Sequence, residues 1–332
     1  MGVTFGLALD FGSQTRPLAA QARRQADLAR FAEDHGFESV WAGESYFAGA
    51  FHLPSPMLLL SYLAPRTRLR LGTGVTLLPA WNPLKLAYDA AVLDNISDGR
   101  LVLGVGLGSP ALQQRFGHDP ATIGQWMDDS VQALKALFAG QSRFAGSQVD
   151  IQGGIAPLPL QPGGPPLWIG GGVRRSAERA AQFGDGYYAS TNYGLDRIGV
   201  QAERYRSALS RAGKDPASGA VSANRLTLVA PDSAQARDGG RRFLSGIIKT
   251  YARMGSWGED RKAASSEDLF DQLASQLCLV GSPEEVTEQV RIYQAAGVTH
   301  IQARLSPDDM PEELARQTIR LMGAEVIPAF AR

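Results

Sequence analysis

The sequence predicts a closed (β/α)8 barrel built as one domain over residues 1–332, and three observations predict it. Short apolar runs rich in β-branched residues alternate with longer segments of helical period, the pattern of repeated strand and helix units around a parallel sheet. The runs LRLGTGVTLL and RLVLGVGLG are continuously apolar, as strands covered on both faces must be. A length of 332 residues exceeds the usual one-domain size, yet closed α/β barrels reach it as one unit.

Eight strands follow in order: Val3 to Asp10, Ser39 to Gly43, Leu69 to Val75, Leu101 to Val105, Pro166 to Ile169, Gly186 to Ala189, Ser222 to Val229 and His300 to Leu305. Between them lie helical stripes such as Val286, Val290, Tyr293 and Gly297, and Ala315, Ile319, Met322 and Val326. Ser282, Pro283, Glu284 and Glu285 read as an N-cap, an N1 proline and acids favoured by the helix dipole. Gly36 and Gly297 stand where helices need a left-handed cap before the next strand. Gln141 to Pro165, rich in Gly and Pro, reads as a surface excursion after helix four. Ser245 to Gln276 is a lid-like insertion after strand seven, expected to form a mobile cover over the mouth that carries Tyr251, Met254 and Trp257. There is no internal repeat beyond the strand and helix alternation.

Composition sets the function classes aside or keeps them open. With 33 basic and 33 acidic residues and a pI near 6.9, no global field favours nucleic acid or an acidic membrane surface. No window approaches the ~18–20 consecutive apolar residues of a membrane span. The single cysteine, Cys278, cannot form an intrachain disulfide and reads as buried filler, and the chain enters a strand without a basic leader and cleavage site. A cytoplasmic protein is the expectation. No His, Cys, Asp and Glu cluster has metal-ligand spacing and no GxSxG elbow occurs, so neither a metal nor a serine nucleophile is expected.

Four segments carry a family likeness: GFESVWAGESY from Gly36, the stretch Arg68 to Ser109, PPLWIGGGVRRSAERAAQFGDGYY from Pro165, and VGSPEEVTEQVRIYQAAGVTHI from Val280. In this order and spacing, over most of the chain, the sequence resembles the luciferase-like superfamily of flavin-dependent oxidoreductases. The resemblance implies a (β/α)8 barrel, often a homodimer, with reduced FMN or the deazaflavin coenzyme F420 in the barrel mouth.

In such a barrel the C-terminal strand ends converge on one cavity, which nominates Asp10, Glu44, Gly74, Gly106, Gly172, Thr191, Arg225 and Arg304. The resemblance places a non-prolyl cis peptide against the flavin at the bulge Thr73, Gly74 and Val75. Gly170, Gly171 and Gly172 precede a helix, where bare amides make an anion site that Ser176 and Arg174 or Arg175 would complete. The family puts its cofactor phosphate there, on Gly171, Gly172 and Val173. Gly104, Gly106 and Gly108 do not form a dinucleotide fingerprint, since neither helix nor ribose-binding acid follows at the right distance. They are expected to admit the flavin tail, in a form more usual among the deazaflavin users, and Leu107 stands where bacterial luciferase has an arginine.

Departures from the family pattern narrow the chemistry. The strand-two pair is Glu44 and Ser45, without the catalytic histidine of many relatives, and Ser109 replaces the proton-donating glutamate of the sugar-phosphate dehydrogenases. Arg225 matches an arginine of the alkanesulfonate branch, but Thr227 stands where its partner histidine would be. Glu44, Arg225 and His118 are the catalytic candidates; His52 is a second loop histidine, and His35 and His300 read as structural. Phe11, Tyr46, Trp81 and Trp257, with Phe47 and Tyr193, are candidates for an apolar substrate pocket. The leading reading is an FMN-dependent monooxygenase of a small organic molecule, served by a separate flavin reductase. Behind it stand an F420-dependent hydride-transfer enzyme and, from another class, a catalytically silent flavin-binding or assembly barrel.

Overall fold

The computed structural model describes residues 2–10, 16–48, 51–53, 55–305 and 310–331. Its centre is eight parallel strands: β1 (Thr4–Leu9), β2 (Ser39–Ala42), β3 (Arg70–Thr73), β4 (Leu101–Gly106), β5 (Leu167–Gly170), β6 (Gly186–Ala189), β7 (Ala220–Val229) and β8 (His300–Arg304). They pair in the order β5-β6-β7-β8-β1-β2-β3-β4, and β4 pairs with β5, which closes the barrel. All eight strands expected from the sequence are present, in the expected order.

Two cores result. The larger lies between the outer face of the sheet and the surrounding helices. The smaller sits inside the barrel and consists of Trp41, Val102, Trp168 and Tyr188. An eight-stranded barrel has room inside only for side chains, and here two indoles take most of it, stacked with ring centroids 4.9 Å apart and planes at 28°. Glycine on neighbouring strands makes this possible. A Cβ on Gly72 of β3 would lie 2.1 Å from the Trp41 ring, one on Gly6 of β1 would lie 2.7 Å from its Nε1, and one on Gly186 of β6 would lie 2.6 Å from Trp168.

Below the indoles, His300 is buried with Nδ1 2.7 Å from Thr4 Oγ1 and Nε2 3.2 Å from Ser39 Oγ. Ser39 Oγ also accepts from Trp41 Nε1 at 2.8 Å. Burial, with the Arg70 charge adding to it, holds the imidazole pKa down to about 3, so this histidine is a neutral structural group.

The helix signals hold. Pro283–Ala295 opens on a capping box in which Ser282 Oγ accepts from Glu285 N and Glu285 Oε2 accepts from Ser282 N. Gly36 and Gly297 take φ of 83° and 97° at their helix ends. The excursion after the fourth helix carries a small antiparallel hairpin, Arg143–Ala145 against Asp150–Gln152. The lid-like insertion expected after β7 is built from helices, Ser245–Arg253 and Ser266–Leu277 among them. Ile247, Ile248 and Ala252 on the first, and Leu269, Phe270 and Leu273 on the second, are buried, so helical apolar spacing outweighs the scattered glycines. A short strand, Cys278–Gly281, then pairs with the end of β7 and buries Cys278 as filler. Among the described residues no helix is long and apolar enough to cross a membrane.

The glycine and indole complementarity has a measurable consequence. Gly72→Ala is expected to lower the unfolding free energy by about 1–3 kcal/mol through overpacking against Trp41. In a double-mutant cycle with Trp41→Phe the two changes should couple by more than about 0.5 kcal/mol, since the smaller ring relieves the clash. Additive effects in denaturant titrations would show that the two residues do not constrain each other.

Candidate active site

The C-terminal strand ends of the barrel carry three connected groups of residues. The first is a buried ion pair across the β1 and β8 ends: Arg304 Nη2 and Nε reach Asp10 Oδ1 and Oδ2 at 2.8 and 3.0 Å. The two-pronged geometry is what offsets the desolvation of both charges. Arg304 Nη1 also reaches the Tyr251 hydroxyl at 3.3 Å, so the pair holds the first helix of the insertion. Tyr251 packs edge-on against Trp257, whose Nε1 donates to Asn192 O at 3.2 Å, and Asn192 Nδ2 donates to Ser256 Oγ. The insertion is therefore tied to the β6 and β8 ends, which places it over the C-terminal end of the barrel.

The second group gathers on Glu44, just beyond β2. Its carboxylate is buried and accepts from the Tyr46 hydroxyl and the Leu77 amide, both at 2.5 Å, and from Trp81 Nε1 at 3.0 Å. Tyr46 in turn meets the Phe116 ring edge-on at 5.1 Å. Thus Glu44, Tyr46 and Trp81, expected separately from sequence, form one cluster. Burial pushes the Glu44 pKa up to about 7, and the three donors pull against that rise without cancelling it.

The third group joins the bulge after β3 to the glycine turn after β5. The Gly74–Val75 peptide is cis. Gly74 N donates to Ala42 O at 2.8 Å, and Val75 O accepts from Glu44 N at 3.1 Å, which links the bulge to the second group. A Cβ on Gly104 would lie 2.1 Å from Thr73 O, and one on Gly106 would lie 2.9 Å from Val75 Cγ2. Gly108 has φ 64° and packs on Leu112. The spaced glycines expected to admit a flavin tail thus have a local cause: they make room for the neighbouring strand.

Beneath the bulge runs a polar network that sequence reading missed. The buried Tyr188 hydroxyl lies 2.9 Å from Gly74 O and 2.8 Å from Gln302 Oε1, and accepts from Asn224 Nδ2 at 3.1 Å. Gln302 Nε2 donates to Ser222 Oγ and Thr191 Oγ1 donates to Asn224 Oδ1. Burial raises the Tyr188 pKa, so the hydroxyl keeps its proton. A signal for this network existed: Ser222 and Asn224 on β7, and His300, Gln302 and Arg304 on β8, place a polar group at every second position of strands covered by helices.

At the turn, Gly171 has φ 148°, and a Cβ there would lie 2.2 Å from Ser176 Oγ. The helix Arg174–Phe183 starts with no side chain capping its first amides. Ser176 is buried, and its hydroxyl has no protein partner among the described residues. Free amides and an unpartnered hydroxyl at one helix N-terminus fit an anion such as a phosphate monoester. Arg174 and Arg175, expected to help, are engaged elsewhere, with Glu178 and Asp128, and Asp128 also holds the buried Arg179. The cation at the turn is Arg197, which donates to Gly172 O at 3.0 and 2.7 Å and was not anticipated.

Other expected residues fall elsewhere. Arg225 is fully buried and donates to the Ser190, Tyr193 and Gln276 carbonyls, so it ties the β6 loop to the insertion instead of presenting charge to a substrate. Its catalytic assignment is corrected for that reason. His118 packs on Trp126 at 4.4 Å and donates to Pro79 O, behind the turn that carries Trp81. His35 bonds Phe31 O at the end of the helix Leu18–Glu33, just before it in the chain. Ser109 caps the helix Pro110–Arg115. Phe11 lies outside the described residues.

Comparison with known proteins agrees with this architecture. The luciferase-like monooxygenase family profile matches residues 3–300. A flavin-dependent trigonelline monooxygenase, oxygenase component, from Acinetobacter baylyi is 26% identical, over 92% of this chain and 89% of its own. A 5,10-methylenetetrahydromethanopterin reductase from Archaeoglobus fulgidus is 27% identical, over 90% and 93%. The crystal structure of a monooxygenase from Streptomyces bottropensis superposes with a TM-score of 0.87 at 27% identity, over 99% of this chain and 100% of that one. This chain belongs to the luciferase-like monooxygenase family, whose members include flavin-dependent monooxygenases and F420-dependent oxidoreductases.

The Glu44 site predicts a pH dependence of stability. Its folded pKa of about 7 exceeds the ordinary 4.5, so between those values the native state holds a proton that the unfolded chain has lost, and stability falls as pH rises through that window. At ~1.36 kcal/mol per unit, wild type should lose about 3 kcal/mol more than Glu44→Gln between pH 4.5 and 7, with no further divergence above pH ~8. Parallel denaturant midpoints for the two proteins across that range would refute a buried, proton-holding Glu44.

Proposed function

We propose that the protein is a monooxygenase that uses reduced FMN, delivered by a separate flavin reductase, on a small, largely apolar organic substrate. The observation that carries the reading is the state of the carboxylates at the barrel mouth. Hydride transfer to or from an alcohol or carbonyl needs a positioned acid or base. Among the described strand-end residues, Asp10 is paired with Arg304 and Ser109 is a helix cap, and Glu44, whose raised pKa lets it hold a proton, already has both carboxylate oxygens bonded to Tyr46, Leu77 and Trp81. A bound reduced flavin supplies the reducing equivalents and the reaction with oxygen, and leaves the protein to bind, orient and exclude water.

The chain's own residues suit those tasks. The Gly171 turn and Ser176 would hold the cofactor phosphate, with Arg197 adding positive charge beside them. Tyr46, Phe116, Trp81, Tyr251 and Trp257 offer apolar surface around two groups whose polar atoms are already paired. The helical insertion, anchored through Tyr251, Ser256 and Trp257, would shield the mouth from water. The spaced glycines after β4, which from sequence pointed toward the deazaflavin, lose that weight because Thr73 and Val75 occupy the space they leave.

Partners follow from the surface and the core. Leu58, Val92 and Ile96 are exposed on the adjoining helices Pro56–Leu63 and Pro83–Ile96, which supports a homodimer through this apolar face. The lone buried thiol suits a reducing cytoplasm.

Parallel titrations with FMN and coenzyme F420, oxidised and reduced, test the cofactor. FMN is expected to bind more tightly, and Gly171→Val to weaken it at least tenfold, about 1.4 kcal/mol, by displacing Ser176 and straining the turn. Tighter binding of the deazaflavin would overturn the reading, and an unchanged Gly171→Val affinity would move the phosphate elsewhere.

A further inference from the structure

The opposite, N-terminal end of the barrel holds a cavity of about 280 Å³. That is close to the ~300 Å³ lower bound of small-ligand sites. Barrel floors of this kind are usually filled by apolar side chains. Here the inner wall is the stacked pair Trp41 and Trp168 with Val102, all buried, and His300 packs against both indoles at 5.5 and 5.6 Å. His300, Thr4 and Ser39 satisfy one another, so the edges of the two indoles that border the cavity, chiefly that of Trp168, are backed by a closed set of hydrogen bonds. Two charges stand at the opening, Glu38 at the entry to β2 and Arg70 at the start of β3. Both side chains are exposed and attract each other across the opening, yet among the described residues neither makes a hydrogen bond or a contact ion pair, so the guanidinium donors and the carboxylate oxygens remain available to a ligand.

We propose that this cavity binds a free α-amino acid with an aromatic side chain, its carboxylate on Arg70, its ammonium on Glu38 and its ring against Trp168 and Trp41. A guanidinium with its donors unused takes a carboxylate through two parallel hydrogen bonds. A ligand carrying only that anion would meet the Glu38 carboxylate as a like charge, and one carrying only an ammonium would meet Arg70; a zwitterion answers both. The aromatic wall favours a flat apolar group, and the volume limits it to a single small residue. The site is separated from the Gly171 turn by the length of the bore, so its occupant is neither the cofactor nor the substrate proposed above.

Tryptophan fluorescence reads the site directly, because two of the five tryptophans form its wall. Titration of the full chain with L-phenylalanine is expected to give a saturable change with a dissociation constant below about 5 mM. Hydrocinnamate, which lacks the ammonium, and phenethylamine, which lacks the carboxylate, should bind at least tenfold more weakly. Arg70→Met and Glu38→Gln should each abolish the phenylalanine response while leaving the FMN titration unchanged, which separates loss of this site from misfolding and from failure of the cofactor assignment. Hydrocinnamate binding as tightly as phenylalanine would reduce the site to a plain anion pocket and overturn the proposal. So would the absence of any saturable response, or a response that survives Arg70→Met.

Discussion

The indole of Trp41 lies across the bore between Gly6 of β1 and Gly72 of β3, stacked on Trp168, and this placement needs both neighbouring strands to lack a Cβ at the ring. Each large inward group needs an absent Cβ opposite it, and the same rule operates at the mouth. Val75 enters the top of the bore, where Gly106 and Gly170 border it and Gly104 gives way to the Thr73 carbonyl. With Val75 so placed, its carbonyl meets Glu44 N, and the following turn carries Leu77 and Trp81 onto the Glu44 carboxylate. The position of the candidate site is thus a consequence of how the barrel interior is filled.

Charge at the mouth is handled by pairing. Arg304 and Asp10 meet in a two-pronged bond, Arg225 is enclosed by carbonyls, and Asp128 bridges two arginines behind the glycine turn. Breaking such a set from one side leaves an uncompensated buried charge, which costs about 3–5 kcal/mol. A mouth built this way is stiff and offers few free ionisable groups. That suits a reaction in which a bound cofactor supplies the reactivity and the protein supplies position and dryness.

The barrel was legible in the sequence because strands covered on both faces leave unbroken apolar runs and helices leave their period and their caps. Ser282 with Glu285, and the glycines at 36 and 297, were readable for that reason. The bulge and the glycine turn were readable through family likeness. What stayed hidden depends on which face of a strand or helix a residue occupies. Arg225 is one residue from Asn224, yet Asn224 enters the bore and Arg225 points to the helices, and a strand-end rule cannot distinguish them. Arg197 sits on a helix 25 residues beyond the carbonyl it bonds, so nothing local announced it at the turn. The insertion was legible as a segment after strand seven, while its helices, Ser245–Arg253 and Ser266–Leu277, show only in the spacing of their buried apolar residues.

The polar residues of β8 also select the register on which both ends of the barrel depend. His300, Gln302 and Arg304 point into the bore, while Ile301 and Ala303 are buried against the helices. A slip of one residue would exchange these sets, burying an imidazole, an amide and a guanidinium in an apolar layer with no partners. It would also take Arg304 from Asp10 and remove the bonds that Tyr188 and Asn224 make to Gln302. Because a fully satisfied buried network is worth keeping only when every member is in place, the alternative register loses at three levels of the barrel at once. The pairing Gly6 with Gln302 and Ala8 with Arg304 is therefore fixed by polar contacts inside the barrel, and that same register sets Arg304 beside Asp10 at the mouth.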